Sequence, residues 1–339
     1  MSNTTLKDIA EALKISVTTV SKALKGYKDV SPKTKDAVLL MAKKLNYTPN
    51  VAAVNLRTQE TKTIGVIIPT IVHQFFTKVI EGIIEEAEKN GYLVITLQSN
   101  EKYELEKKQL QLLQQKRVDG ILISLSNETY HFNHIDAVLK NRIPLVMFDK
   151  ISKIANCSKV VINDLDAAYD AVAYLIKKGY RKIAHFRGSL TPQNSIDRFR
   201  GYKMALENHG IEFDPSLVYL CDNNDDFTDG YLNAKKLLKD HNDVEAIFTI
   251  TDVTAVGIYK CFKEKKITIP NDIAVFGFSN WFMSSVVTPS LSSVKQPEFE
   301  MGMKATSLLI EEIKSIKRNV PFQFKHVVLP TSLIIREST

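Results

Sequence analysis

Long apolar runs are missing from this sequence. No stretch approaches the ~18 residues of a membrane span. The polar start Met1-Ser2-Asn3-Thr4-Thr5 carries no apolar signal region, so a cytoplasmic protein is expected. Cysteine is scarce: Cys157, Cys221 and Cys261 stand far apart, with neither a Cys-x-x-Cys pair nor a metal-ligand spacing. That argues against a disulfide framework and predicts buried free thiols. Also absent are a Gly-x-Gly-x-x-Gly turn, a Gly-Lys-Ser/Thr phosphate loop, a Gly-x-Ser-x-Gly elbow and a histidine pair with zinc spacing. The seven histidines are scattered. No enzyme active site, cofactor or metal is expected.

What is present is a chain of 339 residues, 44% hydrophobic, long enough to fill two or three cores. Its net charge of +7 is unevenly spread. Residues 1–58 hold nine lysines and Arg57 against Asp8, Glu11, Asp29 and Asp36, an excess of six positive charges on one-sixth of the chain. Such a concentration is the electrostatic footprint of phosphate binding.

The same stretch reads as a helix-turn-helix. Leu6, Ile9, Ala10 and Leu13 give one apolar helical face. Ser16 caps a second short helix carrying Val20, Ala23 and Leu24 inward, and Ser31-Pro32 starts a third with Val38, Met41, Ala42 and Leu45. The second helix leaves Val17, Thr18, Thr19, Ser21, Lys22 and Lys25 outward. Short polar and methyl-bearing side chains at a helix N-terminus suit a major groove: Thr reaches base edges, Val packs on a thymine methyl, Lys meets guanine or phosphate. With Thr5, Ser16, Ser31 and Thr34 these form the expected DNA-binding set. Thr48-Pro49-Asn50 closes the bundle, because the residue before Pro is pushed out of the helical region. Residues 51–58 are helix-permissive but too short to be stable alone.

From Thr61 the pattern changes. Ile64–Ile68, Leu93–Leu97 and Gly120–Ser124 are short apolar runs separated by helical stretches near 75–90 and 102–116. A second series follows at Val160–Ile162, Lys182–Phe186, Ala246–Ile250 and Ile273–Phe278. Continuous apolar strands between helices predict doubly wound parallel sheets, and two series predict two lobes. Ligands of such sheets sit beyond the C-terminal strand ends, which is where an effector site is sought. His73, Phe75 and Phe76 follow the first strand; the aromatic pair suits a sugar or a flat ring, and Phe76 suits the core equally well.

Thr5–Ala10, Ser16–Leu24, Val30-Ser31, Thr34 and Leu45–Asn50 together resemble the LacI/GalR family of bacterial transcription regulators, and the resemblance extends over essentially the full length. Two departures stand out: Lys14 where the family often has Gly, and Lys22 where the best-known members carry Arg. The resemblance implies a helix-turn-helix domain over 1–47, a hinge helix over 48–60, and an effector-binding and dimerisation domain over 61–339 with a fold like periplasmic binding proteins. Its N-lobe is expected at about 61–161 and 291–320, its C-lobe at about 162–290 and 321–339, with crossovers near 162, 290 and 320. In the hinge, Leu56 matches the family's minor-groove wedge, with Ala53 beside it and Asn50 and Arg57 placed for phosphate or groove contacts.

The resemblance also assigns effector contacts. Asp149 matches a hydroxyl-accepting carboxylate and Arg198 the Arg of an Arg-x-x-Gly-aromatic motif. Thr251-Asp252 stands where Asn-Asp is common, with Asp252 also suited to capping the next helix. Ser279-Asn280 replaces an Asp seen in many members, and Gln296 completes the set. These groups suit a neutral polyol, so a sugar or sugar derivative is expected, with a purine-like ring as the alternative. No heptad tail follows, so a homodimer on a near-palindromic double-stranded operator is expected, acting as a repressor of a carbohydrate operon. A transport-type sugar-binding protein would explain residues 61–339 but not the basic helix-turn-helix.

Overall fold

The computed structural model describes residues 4–47, 60–72, 74–223 and 225–339. It divides into two units, Met1–Thr61 and Lys62–Thr339.

The first unit contains α1 (Leu6–Leu13), α2 (Val17–Leu24) and α3 (Pro32–Lys44). Ile9, Ala10, Val20, Ala23, Val30, Val38 and Ala42 form its core, with Leu13, Leu24, Met41 and Leu45 packed around it. Lys14 closes α1 in the left-handed conformation, φ 54 and ψ 41, and donates its N–H to the carbonyls of Ala10 and Glu11. A lysine therefore takes the place where glycine is usual, at the modest cost of a Cβ in that region. Ser16 Oγ accepts the Thr19 N–H at 3.0 Å, and Ser31 Oγ that of Thr34 at 3.2 Å, so both caps form as expected.

The second unit holds two six-stranded sheets. Its strands are β1 (Thr63–Ile68), β2 (Leu93–Gln98), β3 (Gly120–Ile123), β4 (Leu145–Phe148), β5 (Ser158–Ile162), β6 (Ile183–Gly188), β7 (Val218–Cys221), β8 (Ala246–Thr249), β9 (Ala274–Ser279), β10 (Ser292–Lys295), β11 (His326–Leu329) and β12 (Ser332–Ile334). The first sheet runs β11-β5-β4-β3-β1-β2, all parallel, and the second β12-β10-β9-β8-β6-β7. Helices cover the faces: α4 (Gln74–Lys89), α5 (Tyr103–Gln115) and α6 (Asn133–Lys140) with the first sheet's strands, then α7 (Asp164–Lys177), α8 (Gln193–Asn208), α9 (Asp226–Asp240) and α10 (Asp252–Lys265). The last, α11 (Glu298–Lys317), returns to the first lobe and packs on α4. Glycine makes that approach possible, since a Cβ on Gly82 would lie 2.1 Å from the Phe299 carbonyl oxygen and one on Gly302 2.0 Å from that of Val79.

Three expectations are corrected. Strand β12 runs antiparallel to β10, so the second sheet is mixed at that edge. The run at Val160–Ile162 pairs with Leu145–Phe148 and belongs to the first sheet, not to the second series. The chain crosses between lobes at Asn163, at Gln296-Pro297 and at Pro330-Thr331, the latter two later than 290 and 320. The cause is β10: Ser292 and Ser293 look like a loop, yet both are fully buried and spend their hydroxyls on Thr339 and Asp252. All three cysteines are free and buried. Among the described residues no helix is long and apolar enough to cross a membrane.

Candidate functional site

The first unit offers a polar helical face. Val17, Thr18 and Lys25 are exposed and Ser21 and Lys22 half-buried, on one side of α2 at spacings of three and four residues. Other expected contacts are partly committed to local structure. The Ser16 and Thr19 hydroxyls lie 2.8 Å apart, as do those of Ser31 and Thr34. Thr5 donates both N–H and Oγ1 to Asp8. Lys22 Nζ lies 2.5 Å from Asp29, an exposed pair that phosphate can replace cheaply. Asn50, Ala53, Leu56 and Arg57 lie outside the described residues, as does His73.

In the second unit a cavity of about 950 Å³, counting its open mouth, lies between the lobes at the strand ends. Eight of the ten effector residues expected from sequence line it: Phe75, Phe76, Asp149, Arg198, Thr251, Asp252, Ser279 and Gln296. Asp149, just after β4, and Ser279, the last residue of β9, have positive φ, 57 and 113, a backbone that non-glycine residues keep only where the surroundings hold it. The lobes meet across the cavity: Asn194 Nδ2 donates to Asp149 Oδ1 at 3.1 Å, and the Phe282 N–H to Gln74 Oε1 at 3.0 Å.

Arg198 is 4% exposed and fixed on three sides. Its Nε donates to Asp164 at 2.8 Å and Nη1 to the Ile250 carbonyl at 2.9 Å, while the guanidinium lies 3.6 Å from the Phe278 ring centroid. Nη2 is left over for a ligand. Burial pushes the Asp164 carboxyl up to about 6, with Arg198 opposing the shift. Burial likewise raises Asp149, against the pull of Lys150 and Arg198. Gln296 accepts from Ser279 Oγ at 3.0 Å, but its Nε2, like Ser195 Oγ, is buried without a partner. Such orphans are costly unless something enters to pair with them.

Two expected contacts are corrected. Asn280 turns away from the cavity, its Oδ1 accepting from Arg336 Nη2 at 2.7 Å. Asp252 lines the cavity but is not the helix cap. Thr251 caps α10 by accepting the Thr254 N–H, and Asp252 instead accepts the Trp281 N–H and the Ser284 and Ser293 hydroxyls, each at 2.6 Å. Even Gly277 serves this arrangement, since a Cβ there would lie 2.1 Å from Asp252 Oδ1.

The cavity also includes Glu101, Asn127, Lys150, Asn194, Asp226, Trp281 and Glu298, which sequence reasoning missed. Asn194 had a findable signal: it stands one helical turn before Arg198, on the same face of α8. Trp281, the single tryptophan, follows a strand end by two residues. Glu101 and Asn127 carried no signal, for they line the cavity as part of a group with Lys150, whose Nζ lies 2.6 Å from each, that the sequence does not announce.

A helical unit with a groove-sized polar face, joined to two α/β lobes enclosing a polar cleft, defines a DNA-binding protein controlled by a small molecule. Residues 5–50 match the family model of bacterial regulatory proteins of the lacI family, and residues 61–328 that of periplasmic binding proteins and the sugar binding domain of the LacI family. The chain is 31% identical over 334 residues to the ribose operon repressor of Haemophilus influenzae, covering 98% of each. It is 26% identical to a LacI family transcriptional regulator from Enterococcus faecium solved with bound ribose, with a TM-score of 0.71 over 82% of this chain and 98% of that one. The lac repressor dimer bound to operator and an anti-inducer shares the fold, at a TM-score of 0.87 and 22% identity over 99% of each chain. The chain belongs to the LacI family of bacterial transcription regulators, whose members are regulators and not enzymes.

Proposed function

We propose that this regulator senses a sugar or sugar derivative in the cleft between its lobes and controls a carbohydrate-utilisation operon as a cytoplasmic homodimer. The observation that carries this reading is the cavity itself: a polar, enclosed site lined by Asp149, Arg198, Gln296 and Asn194, with two buried polar atoms left without partners. Carboxylate, guanidinium and amide together bind hydroxyls as donors and acceptors, and Phe75, Phe76 and Trp281 supply flat apolar walls for a ring. The names of the ribose operon repressor and the ribose-bound relative support the same class of effector.

Residues 1–47 read DNA, residues 48–60 couple the units, and residues 61–339 sense the effector and dimerise. Val17, Thr18, Ser21, Lys22 and Lys25 enter the major groove of each half of a near-palindromic operator. Leu56 wedges into the minor groove between them. A sugar in the cleft changes the angle between lobes, and so the pairing of the two linkers and the affinity for operator. The test is ligand-induced thermal stabilisation across sugars, sugar phosphates, sugar acids and nucleobases, with operator binding measured beside it. A ligand at 100 times its dissociation constant adds ~2.7 kcal/mol of apparent stability. A sugar that stabilises the protein and shifts operator affinity is expected; a response to nucleobases alone would overturn the carbohydrate reading.

A further inference from the structure

The cleft is lopsided in charge. Five carboxylates line it, Glu101, Asp149, Asp226, Asp252 and Glu298, against two cations, Lys150 and Arg198. Lys150 Nζ is held by Glu101 and Asn127, and Arg198 by Asp164 and the Ile250 carbonyl with only Nη2 left over. The carboxylates are less completely served. Asp252 has three donors and Asp149 has two. Glu298, in the first turn of α11, receives no hydrogen bond or ion pair from any other residue among those described. Burial pushes its carboxyl up to about 7, with Lys295 and Lys78 offsetting only part of the shift, which is how a carboxylate short of countercharge behaves.

Two residues before it, Gln296 is 2% exposed and presents an Nε2 with no acceptor. The cleft that both residues line therefore asks for two things: an acceptor for Gln296 and a strong, preferably cationic, donor for Glu298. A ring bearing a hydroxyl next to an ammonium supplies both. A phosphate or a carboxylate supplies only the acceptor, offers Glu298 no cation, and adds negative charge to a cleft that already holds more carboxylates than cations.

We infer that the effector is a sugar carrying a free amino group, seated with its ammonium on the Glu298 carboxylate and a neighbouring hydroxyl on Gln296; this rests on the reading of the cleft as a sugar site. The experiment is titration of the full-length protein, followed by Trp281 fluorescence, with glucosamine, galactosamine and mannosamine, each beside its parent sugar, its N-acetyl derivative and its 6-phosphate. At least one free amine is expected to bind about tenfold or more tighter than its matched neutral forms, the scale of a hydrogen bond to a charged group. Glu298→Gln is expected to collapse that ratio toward one. If neutral sugars bind as tightly as their amines, or the ratio survives Glu298→Gln, the inference is overturned while the sugar reading stands. If only the 6-phosphates bind, the inference likewise falls and the sugar reading stands; if only nucleobases bind, both fall.

Discussion

Arg198 and Asp164 form one buried unit, and removing either member alone should cost more than removing both. Their side chains are 5% and 9% exposed and 2.8 Å apart. In Arg198→Met the stem is replaced in kind, but Asp164 loses its cation, and breaking a buried pair from one side costs about 3–5 kcal/mol. Protonation limits the loss. The carboxyl already stands at about 6 beside Arg198, so the variant takes up a proton at neutral pH, and its deficit shrinks below pH 6 and grows above it. Asp164→Asn strands the guanidinium on the Ile250 carbonyl at similar cost. In the double variant both charges are gone, and the main loss is the hydrogen bond to Ile250, about 1 kcal/mol. Urea unfolding at neutral pH, followed by the single tryptophan, should show the double variant less destabilised than either single variant, and short of the summed losses by about 5 kcal/mol where each single variant loses about 3. Additivity within about 0.5 kcal/mol would refute the idea that the pair acts as a unit.

Glu312 accepts from Ser158 Oγ at 2.5 Å, and burial pushes its carboxyl up to about 7. A raised carboxyl stabilises fully below its ordinary value and loses that contribution as pH rises to about 7. Glu312→Gln should therefore gain on the native chain by up to about 1.4 kcal/mol per pH unit across that window, level above it; parallel stability profiles would sink the assignment. Gly302→Ala should lower stability by about 1–3 kcal/mol in a thermal melt, because the Val79 carbonyl that blocks the new methyl is backbone and cannot turn aside. Lys25→Ala should weaken operator and unrelated DNA alike and reduce the salt slope by about one, read from binding across a salt series; loss confined to operator would mean base reading instead.

Where the sequence was legible, a simple physical pattern was responsible. The helix caps at Ser16 and Ser31 and the left-handed Lys14 are local chemistry, and the strands at 64–68, 120–124 and 274–278 are apolar runs with no other use. The failures are equally physical. Strand β10 carries no apolar run to announce it, because Ser292 is satisfied by the chain's last residues, some forty positions away, and Ser293 by Asp252. Asn280 reads as a ligand contact because nothing local announces Arg336. Within the cleft, residues found at strand ends were predictable, whereas the grouping of Glu101 and Asn127 with Lys150 exists only in the tertiary structure.

The three crossovers also govern how the protein is made. Strands β1 to β5 leave the ribosome first, but the face of their core that α4 begins to cover is closed only when Leu309 and Ile313 of α11 arrive against Gly120, and its edge strand β11 comes later still. Five strands of the second sheet, β6 to β10, are finished before α11 begins. Each lobe thus waits for the end of the chain to supply its edge strand, β11 and then β12, and a chain cut short after Lys317 would lack an edge strand in each sheet.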